Sequence, residues 1–218
     1  MTNKNYEKIR KIMVEEQIEK RGLKNEKVLS AMMKVPRHKF VPYRYQVQAY
    51  QDSAIPIDEN QTISQPYIVA KMIENLEPEN NHKVLEIGTG SGYAAAVLSE
   101  ICSEVYTIER HQLLAKQAQL RFESLNYDNI EIKIDDGTKG WEEKAPFDRI
   151  LVSAGAPSVP KKLTDQLEIG GIMVIPVGES KRLQKLIKLT KYDENDLKIE
   201  ELEHVRFVPL IGNEGWEE

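Results

Sequence analysis

From Lys83 onward the chain alternates short runs of buried-strand character with helical stretches, and few folds accept that alternation. KVLEI, EVYTI, IEIKI, FDRILVSA and GIMVIPV are the strand-type runs, and SGYAAAVLSEI and HQLLAKQAQLRFESL are two of the helical intervals. Parallel strands need a crossover between them, so strand, helix and strand in succession predict a sheet flanked by helices. The expected class is therefore α/β, a doubly wound, mainly parallel, Rossmann-like sheet. Residues 182–210, RLQKLIKLTKYDENDLKIEELEHVRFVPL, differ in having alternating apolar positions broken by polar turn residues at 193–196. They predict a hairpin plus a final strand, which would give the sheet an antiparallel edge.

The amino-terminal third has another character. Residues 6–20 place Ile9, Ile12, Met13 and Ile18 at mostly helical spacing ahead of Gly22, which predicts an amphipathic leading helix. A second short helix is expected over 26–33. The following VPRHKFVPYRYQVQAYQDSAIPIDENQTISQP carries too many prolines and turn residues for long elements, so it predicts an ordered loop of the kind that often carries function. No repeat, low-complexity tract or Gly/Ser linker separates these parts. The expectation is one compact unit in which a helical and loop extension, residues 1–80, packs on a core of residues 81–218.

Composition excludes several classes. Of 218 residues 40% are hydrophobic and 30% charged, which suits a packed core and not a disordered chain. A formal net charge of −5 argues against a surface that tracks phosphates, so no nucleic-acid partner is expected. The single cysteine, Cys102, cannot form an internal disulfide; its place in AAAVLSEIC predicts a small core residue and a reducing, cytoplasmic setting. The polar amino terminus and the lack of a long apolar run predict neither secretion nor a membrane span. His38, His82, His111 and His204 lack ligand spacing, so they are expected on the surface and no metal site is expected.

The strongest local signal is VLEIGTGSGY at 84–93, where a buried-type strand enters a Gly-x-Gly-x-Gly turn and then a helix. Gly88, Gly90 and Gly92 can adopt dihedrals closed to other residues and keep side chains away from a bound nucleotide. Such a turn alone also serves strand-to-helix packing. Glu109, however, ends the next strand about 20 residues on, where a carboxylate can accept both ribose hydroxyls of an adenosyl group. Asp136 and Gly137 end the third strand at the same carboxyl edge. A dinucleotide fingerprint would want glycine where Tyr93 stands. Glu86, inside the strand before the turn, repels pyrophosphate but can help to hold an ammonium group. A cationic cofactor, S-adenosylmethionine, is favoured over a nicotinamide dinucleotide.

VPRHKFVP (35–42), AYQD (49–52), QTISQPYIVA (61–70), VLEIGTGSGY, LEIGGIMVIPVG (167–178) and VRFVPL (205–210) together resemble the protein-L-isoaspartate O-methyltransferases, in order over nearly the whole chain. QTISQP and VRFVPL are more specific than the glycine turn, which many methyltransferases share. The resemblance implies S-adenosylmethionine as methyl donor, S-adenosylhomocysteine as product, and isoaspartyl peptides and damaged proteins as partners of a monomer. It implies cofactor binding by Glu86, Gly88, Thr89, Gly90, Ser91, Gly92, Glu109, Arg110, Asp136 and Gly137. It assigns catalysis to Ser64 and substrate contacts to Thr62, Ile63, Gln65, Pro66, Val208, Pro209 and Leu210, with residues 1–80 forming part of the substrate site. Where some relatives carry a histidine after that serine, this chain has Tyr67 and Val69.

Ser64 has a plainer reading as a cap for the helix that starts after it, and Arg206 as a surface ion pair. A methyltransferase for a small metabolite or another protein residue would share the cofactor half, and a non-catalytic adenosyl-binding module should have lost Ser64. No catalytic base stands out, and none is required: a substrate carboxylate with a pKa of about 4 is already ionised at neutral pH.

Overall fold

The computed structural model describes residues 3–181 and 183–218, with side chains described from residue 5 onward. Lys83–Ile87 (β3) is buried along nearly its whole length, as a strand covered on both faces must be. It lies between Glu104–Glu109 (β4) and Phe147–Val152 (β6), parallel to both. Ile130–Ile134 (β5) pairs in parallel outside β4, and Leu167–Ser180 (β7) outside β6. Leu183–Asp193 (β8) and Asp196–Val205 (β9) then add an antiparallel hairpin. The order β5-β4-β3-β6-β7-β8-β9 gives a seven-stranded sheet among the described residues. It is mainly parallel, with the expected antiparallel edge. Successive strands are laid down to one side of β3 as far as β5 and to its other side from β6 onward, and this switch in strand order opens a crevice at the carboxyl ends of β3 and β6.

Alternate residues of the strands feed two cores. Val84 and Val105 pack on one face with the helices Pro66–Leu76 (α3) and Tyr93–Ser99 (α4), while Leu85, Ile87, Tyr106 and Ile150 pack on the other with Trp141 and Leu163. Gln112–Ser124 (α5) reaches the first core through Leu114, Ala118 and Phe122. Tyr6, Met13, Ile18, Val28 and Met32 join that same core, so the amino-terminal segment and the sheet bury each other.

The leading helix changes type. Asn3–Ile12 (α1) is α-helical, Met13–Ile18 is π-helical, and a 3-10 turn, Glu19–Arg21, ends at Gly22 in the left-handed conformation (φ 98°). The π turn is wider and rotates the residues that follow, so Ile12 faces solvent while Tyr6 and Val14 are buried with Met13 and Ile18. Glu26–Lys34 (α2) follows, capped by Asn25, whose side chain accepts from the Lys27 and Val28 amides. The loop beyond it is ordered into the 3-10 turns Arg37–Phe40 and Tyr43–Gln48 and a two-strand ladder of Ile55–Pro56 (β1) with Thr62–Ile63 (β2).

Two expectations are corrected. No final strand follows the hairpin: beyond Val205 the chain leaves the sheet and bonds to the loop after β6, with Gly155 N–H donating to the Val208 carbonyl (2.8 Å) and Leu210 N–H to that of Gly155 (2.8 Å). Arg182, at the start of the predicted hairpin segment, lies outside the described residues. Nor is every histidine superficial. His38 is buried, stacked on Tyr6 at 3.8 Å and bonded to the Tyr50 hydroxyl at 2.7 Å; burial pushes its pKa down to about 4. Cys102 is buried as expected, which pushes its thiol up to about 12. Among the described residues no helix is long and apolar enough to cross a membrane.

Candidate functional site

The glycine turn after β3 is held open by its partners. Gly88, Gly90 and Gly92 have φ of 90°, 52° and 88°, a region that strains other residues. The Gly88 amide donates to the Ile108 carbonyl (2.9 Å) and the Gly90 amide to Glu109 Oε2 (2.8 Å), so the turn is tied to the end of β4. Gly92 serves packing, because a Cβ there would strike the Phe122 ring of α5. A Cβ at Gly88 or Gly90 would make only ordinary contacts, with Ser153 and Ile57 respectively, and both glycines line a cavity with Glu109, Arg110, Gly137, Ser153 and the segment from Val208 to Ile211.

A second cavity adjoins the first beneath the turn, lined by Glu86, Thr89, Ser91, Val69, Met72, Thr62, Ile63 and Ser64. Glu86 is only 1% exposed. Parallel pairing sets Thr107 opposite it, and the Thr107 hydroxyl donates to Glu86 Oε2 at 2.6 Å. Thr107 has a single hydroxyl proton, so in the 2.7 Å contact between the two threonines Thr89 must be the donor. Among the described residues Glu86 Oε1 has no hydrogen-bond partner. Burial, with the nearby Glu109 adding to it, pushes the Glu86 carboxyl up to about 8 against the Thr107 hydrogen bond. A buried carboxylate with a free oxygen beside a cavity suits a cationic ligand group. Among the described residues no backbone donor reaches Glu86 to give it a purely structural role.

Glu109 is buried too, and its oxygens accept the amides of Gly90 (2.8 Å) and His111 (2.9 Å). Each oxygen retains a lone pair toward the first cavity. Arg110 lines that cavity from a more exposed position and is paired with Glu218. Asp136 departs from expectation, since it does not line the cavity. Its Oδ1 caps the turn Gly137–Lys139 by accepting from the Thr138 amide (2.9 Å) and hydroxyl (2.7 Å), and its Oδ2 accepts from the Asn213 amide (2.9 Å). The first amides of such a turn lack carbonyl partners and need an acceptor, and so does the Asn213 amide of the carboxyl-terminal segment. Gly137 does line the cavity, and a Cβ there would collide with Ile87.

A third cavity opens on the far side of Ser64 and Thr62, lined also by Ala54, Gln65, Ile68, Ser153, His204, Arg206 and Val208. Ser64 thus forms part of the wall between the second and third cavities, while Thr62 and Ser153 border all three. Helix α3 begins at Pro66, with Gln65 preceding it and no side-chain cap bond. The capping role for Ser64 is therefore not realised. Its backbone is fixed from beneath: fully buried Arg37 donates from Nη2 to the Ser64 carbonyl (2.9 Å) and from Nε to that of Ala49 (2.7 Å). The guanidinium lies 4.8 Å from the Tyr93 ring centroid, and burial pushes its pKa down to about 10.

Not every expected substrate residue reaches this groove. Pro209 and Leu210 line the first cavity, and Pro66 is buried as the first residue of α3 and lines none of the three. The Leu210 amide is already paired with the Gly155 carbonyl and is not available to a peptide, whereas the Val208 carbonyl accepts from the Gly155 amide and retains a second lone pair. Val69 is an apolar wall of the second cavity, and Tyr67 lies under the Arg21 guanidinium at 3.4 Å. Sequence reading missed Ser153, Arg37 and Thr107. Ser153 directly follows β6, the strand beside β3, so sheet order could have flagged it; Arg37 gave no local signal.

A family model described as Protein-L-isoaspartate(D-aspartate) O-methyltransferase matches residues 7–215. A curated relative from Pelotomaculum thermopropionicum, named protein-L-isoaspartate O-methyltransferase, is 56% identical and covers 95% of this chain and 90% of its own length. A relative of the same name from Petrotoga mobilis is 52% identical, with 97% and 99% covered. A solved protein-L-isoaspartate O-methyltransferase superposes with a TM-score of 0.84 at 29% identity, over 96% of this chain and 67% of that one. A Plasmodium falciparum structure described under the same activity, in complex with S-adenosyl-L-homocysteine, gives 0.79 at 26% identity, over 93% and 98%.

Proposed function

The chain belongs to the protein-L-isoaspartate(D-aspartate) O-methyltransferase family, and on that premise we propose how its residues carry out methyl transfer from S-adenosylmethionine to isoaspartyl residues of damaged proteins. The observation that carries the reading is Ser64 on the wall between two cavities, one holding the unpartnered oxygen of Glu86 and the other open as a groove. When bound, S-adenosylmethionine supplies an electrophilic methyl on a positively charged sulfur. Glu86 would hold its ammonium group, Gly88 and Gly90 would let the backbone of the Gly88 to Gly92 turn lie against it, and Glu109 would offer its remaining lone pairs to the ribose hydroxyls.

The groove side orients the nucleophile. An isoaspartyl α-carboxylate is ionised at neutral pH, so no residue has to remove a proton. The Ser64 hydroxyl donates to one carboxylate oxygen and leaves the other facing the donor, while Arg37 keeps the Ser64 backbone from moving. Burial around Glu86, Val69 and Met72 excludes water where an anion and a cation would neutralise each other. In the resulting methyl ester the neighbouring backbone amide nitrogen attacks the ester carbonyl, methanol leaves with the amide proton, and hydrolysis of the succinimide so formed returns some normal aspartate. Residues 1–80 and 81–218 act as one unit in this reading, because Ser64 comes from the first and Glu86 from the second. The net charge of −5 supports a protein rather than a nucleic-acid substrate. We place the chain in the cytoplasm as a monomer.

The test is a pair of peptides identical except for L-isoaspartate or L-aspartate at one position, incubated with labelled S-adenosylmethionine and quenched in acid. Isomerisation inserts a backbone methylene and shifts the free carboxylate, and a misplacement of about 1 Å costs on the order of a hundredfold in rate. The isoaspartyl peptide is expected to label at least that much faster. Equal labelling of both would overturn the assignment of the groove.

A further inference from the structure

Arg206 lies on the rim of the groove that runs from Ser64, and the catalytic reading gives it no task. It is exposed, and among the described residues its guanidinium has neither an ion-pair nor a hydrogen-bond partner. By contrast the two cations over the Tyr67 ring are balanced: Arg21 pairs with Asp52 at 2.7 Å, and Lys71 with Glu203 at 2.8 Å. His204, two residues earlier on the same rim, adds ring nitrogens and no negative charge. A chain with net charge −5 thus presents an unmatched positive charge where a peptide must lie to bring its carboxylate to Ser64.

We propose that Arg206 is a specificity-determining residue that favours isoaspartyl peptides carrying an acidic side chain close to the damaged residue. The proposal rests on the groove being the peptide site, as read above. Arginine's fork of donors matches a carboxylate in two-point geometry, and its charge attracts an anionic peptide before contact. Isoaspartyl residues are displayed in many sequence contexts, so discrimination by a rim charge grades substrates and excludes none. An exposed pair of this kind is expected to change kcat/KM by about two- to fivefold, through KM, because the contact is the same in the ground and transition states.

The experiment uses the full chain and capped isoaspartyl peptides with otherwise neutral sequence, carrying Glu, Gln or Lys at one of the two positions on either side of isoaspartate. The expected result is a Glu over Gln over Lys order for at least one position, with kcat unchanged. Arg206→Ala abolishes the order, Arg206→Glu inverts it, and about 0.5 M salt flattens it in the unsubstituted chain. Thermal melting of both variants should stay where it was, since the side chain is exposed. Absence of any charge order in a chain that methylates the neutral peptide overturns the proposal alone. A fall in kcat on all peptides equally in Arg206→Ala also overturns it, by assigning the arginine to the reacting carboxylate. If the neutral isoaspartyl peptide is not methylated, the proposal falls together with the groove reading.

Discussion

The donor cavity and the peptide groove meet at Ser64, yet they are built in opposite ways. Glu86, the glycine turn and Glu109 come from two adjacent parallel strands and the turn that follows the first, within 24 positions of one another. The groove gathers Ala54 and Ser64 from the loop before α3, Ser153 from the end of β6, and Arg206 from beyond β9. A cavity made by neighbouring strand ends is fixed by the register of the sheet. A groove made of distant segments depends on buried ties such as Arg37, which spans from one turn of the loop to the Ser64 carbonyl. The two regions should therefore fail differently when their central residues are changed.

Ser64→Ala is the sharpest separation. It should lower kcat on isoaspartyl peptide by on the order of a hundredfold, since the carboxylate loses its orienting donor. Cofactor affinity should change less than about twofold, and the melting temperature should hold because no cap bond is lost. Initial rates, calorimetry and melting on one preparation check it; normal turnover with a lowered melting point would return Ser64 to a structural role and erase the contrast.

Glu86→Gln should weaken cofactor binding about tenfold by removing a charge-assisted contact, while kcat at saturation changes little. The proton balance gives a second readout. In the folded chain without ligand Glu86 keeps its proton up to about pH 8, whereas the unfolded value is 4.5. The folded state therefore holds more protons across that window, and this group's contribution to stability falls as pH rises from 4.5 toward 8. The glutamine variant should lose that decline and melt higher than the unsubstituted chain at the alkaline end. A cationic ligand that needs the carboxylate ionised must expel the proton, so affinity should rise from about pH 5.5 to 7.5 and heats should depend on the buffer. Both effects should vanish in the variant; buffer-independent heats in the unsubstituted chain would mean that Glu86 does not meet the cation.

The smallest effect is expected at the edge of the donor cavity, where Arg110 pairs with the exposed Glu218. Glu218→Gln should shift cofactor affinity by less than about twofold, and added salt should remove even that, as for other exposed pairs. A larger, salt-resistant loss would show that the carboxyl-terminal segment closes over the cofactor and that the donor cavity also depends on a distant piece of chain.

The residue pattern alone carries the alternation of strands and helices, the mainly parallel sheet with its antiparallel hairpin, and the placement of Glu86, Glu109 and Gly137 in or just beyond the carboxyl ends of three strands. Those features are local: they follow from apolar runs, glycine turns and connection lengths, which a strand or helix expresses wherever it is placed. The family motifs added Ser64, which local pattern would have assigned to a helix cap. Tertiary structure alone decided the rest. It turned Ile12 outward through a π-helical turn, buried His38 against Tyr6, withdrew Asp136 from the cavity to cap its own turn, and set Arg37 beneath Ser64. It also ended β9 at Val205, so that the chain beyond it bonds to Gly155 and adds no strand to the sheet. Each of these depends on which distant group supplies the missing hydrogen-bond partner or apolar contact, and burial makes that partner obligatory without encoding its address in the neighbouring residues.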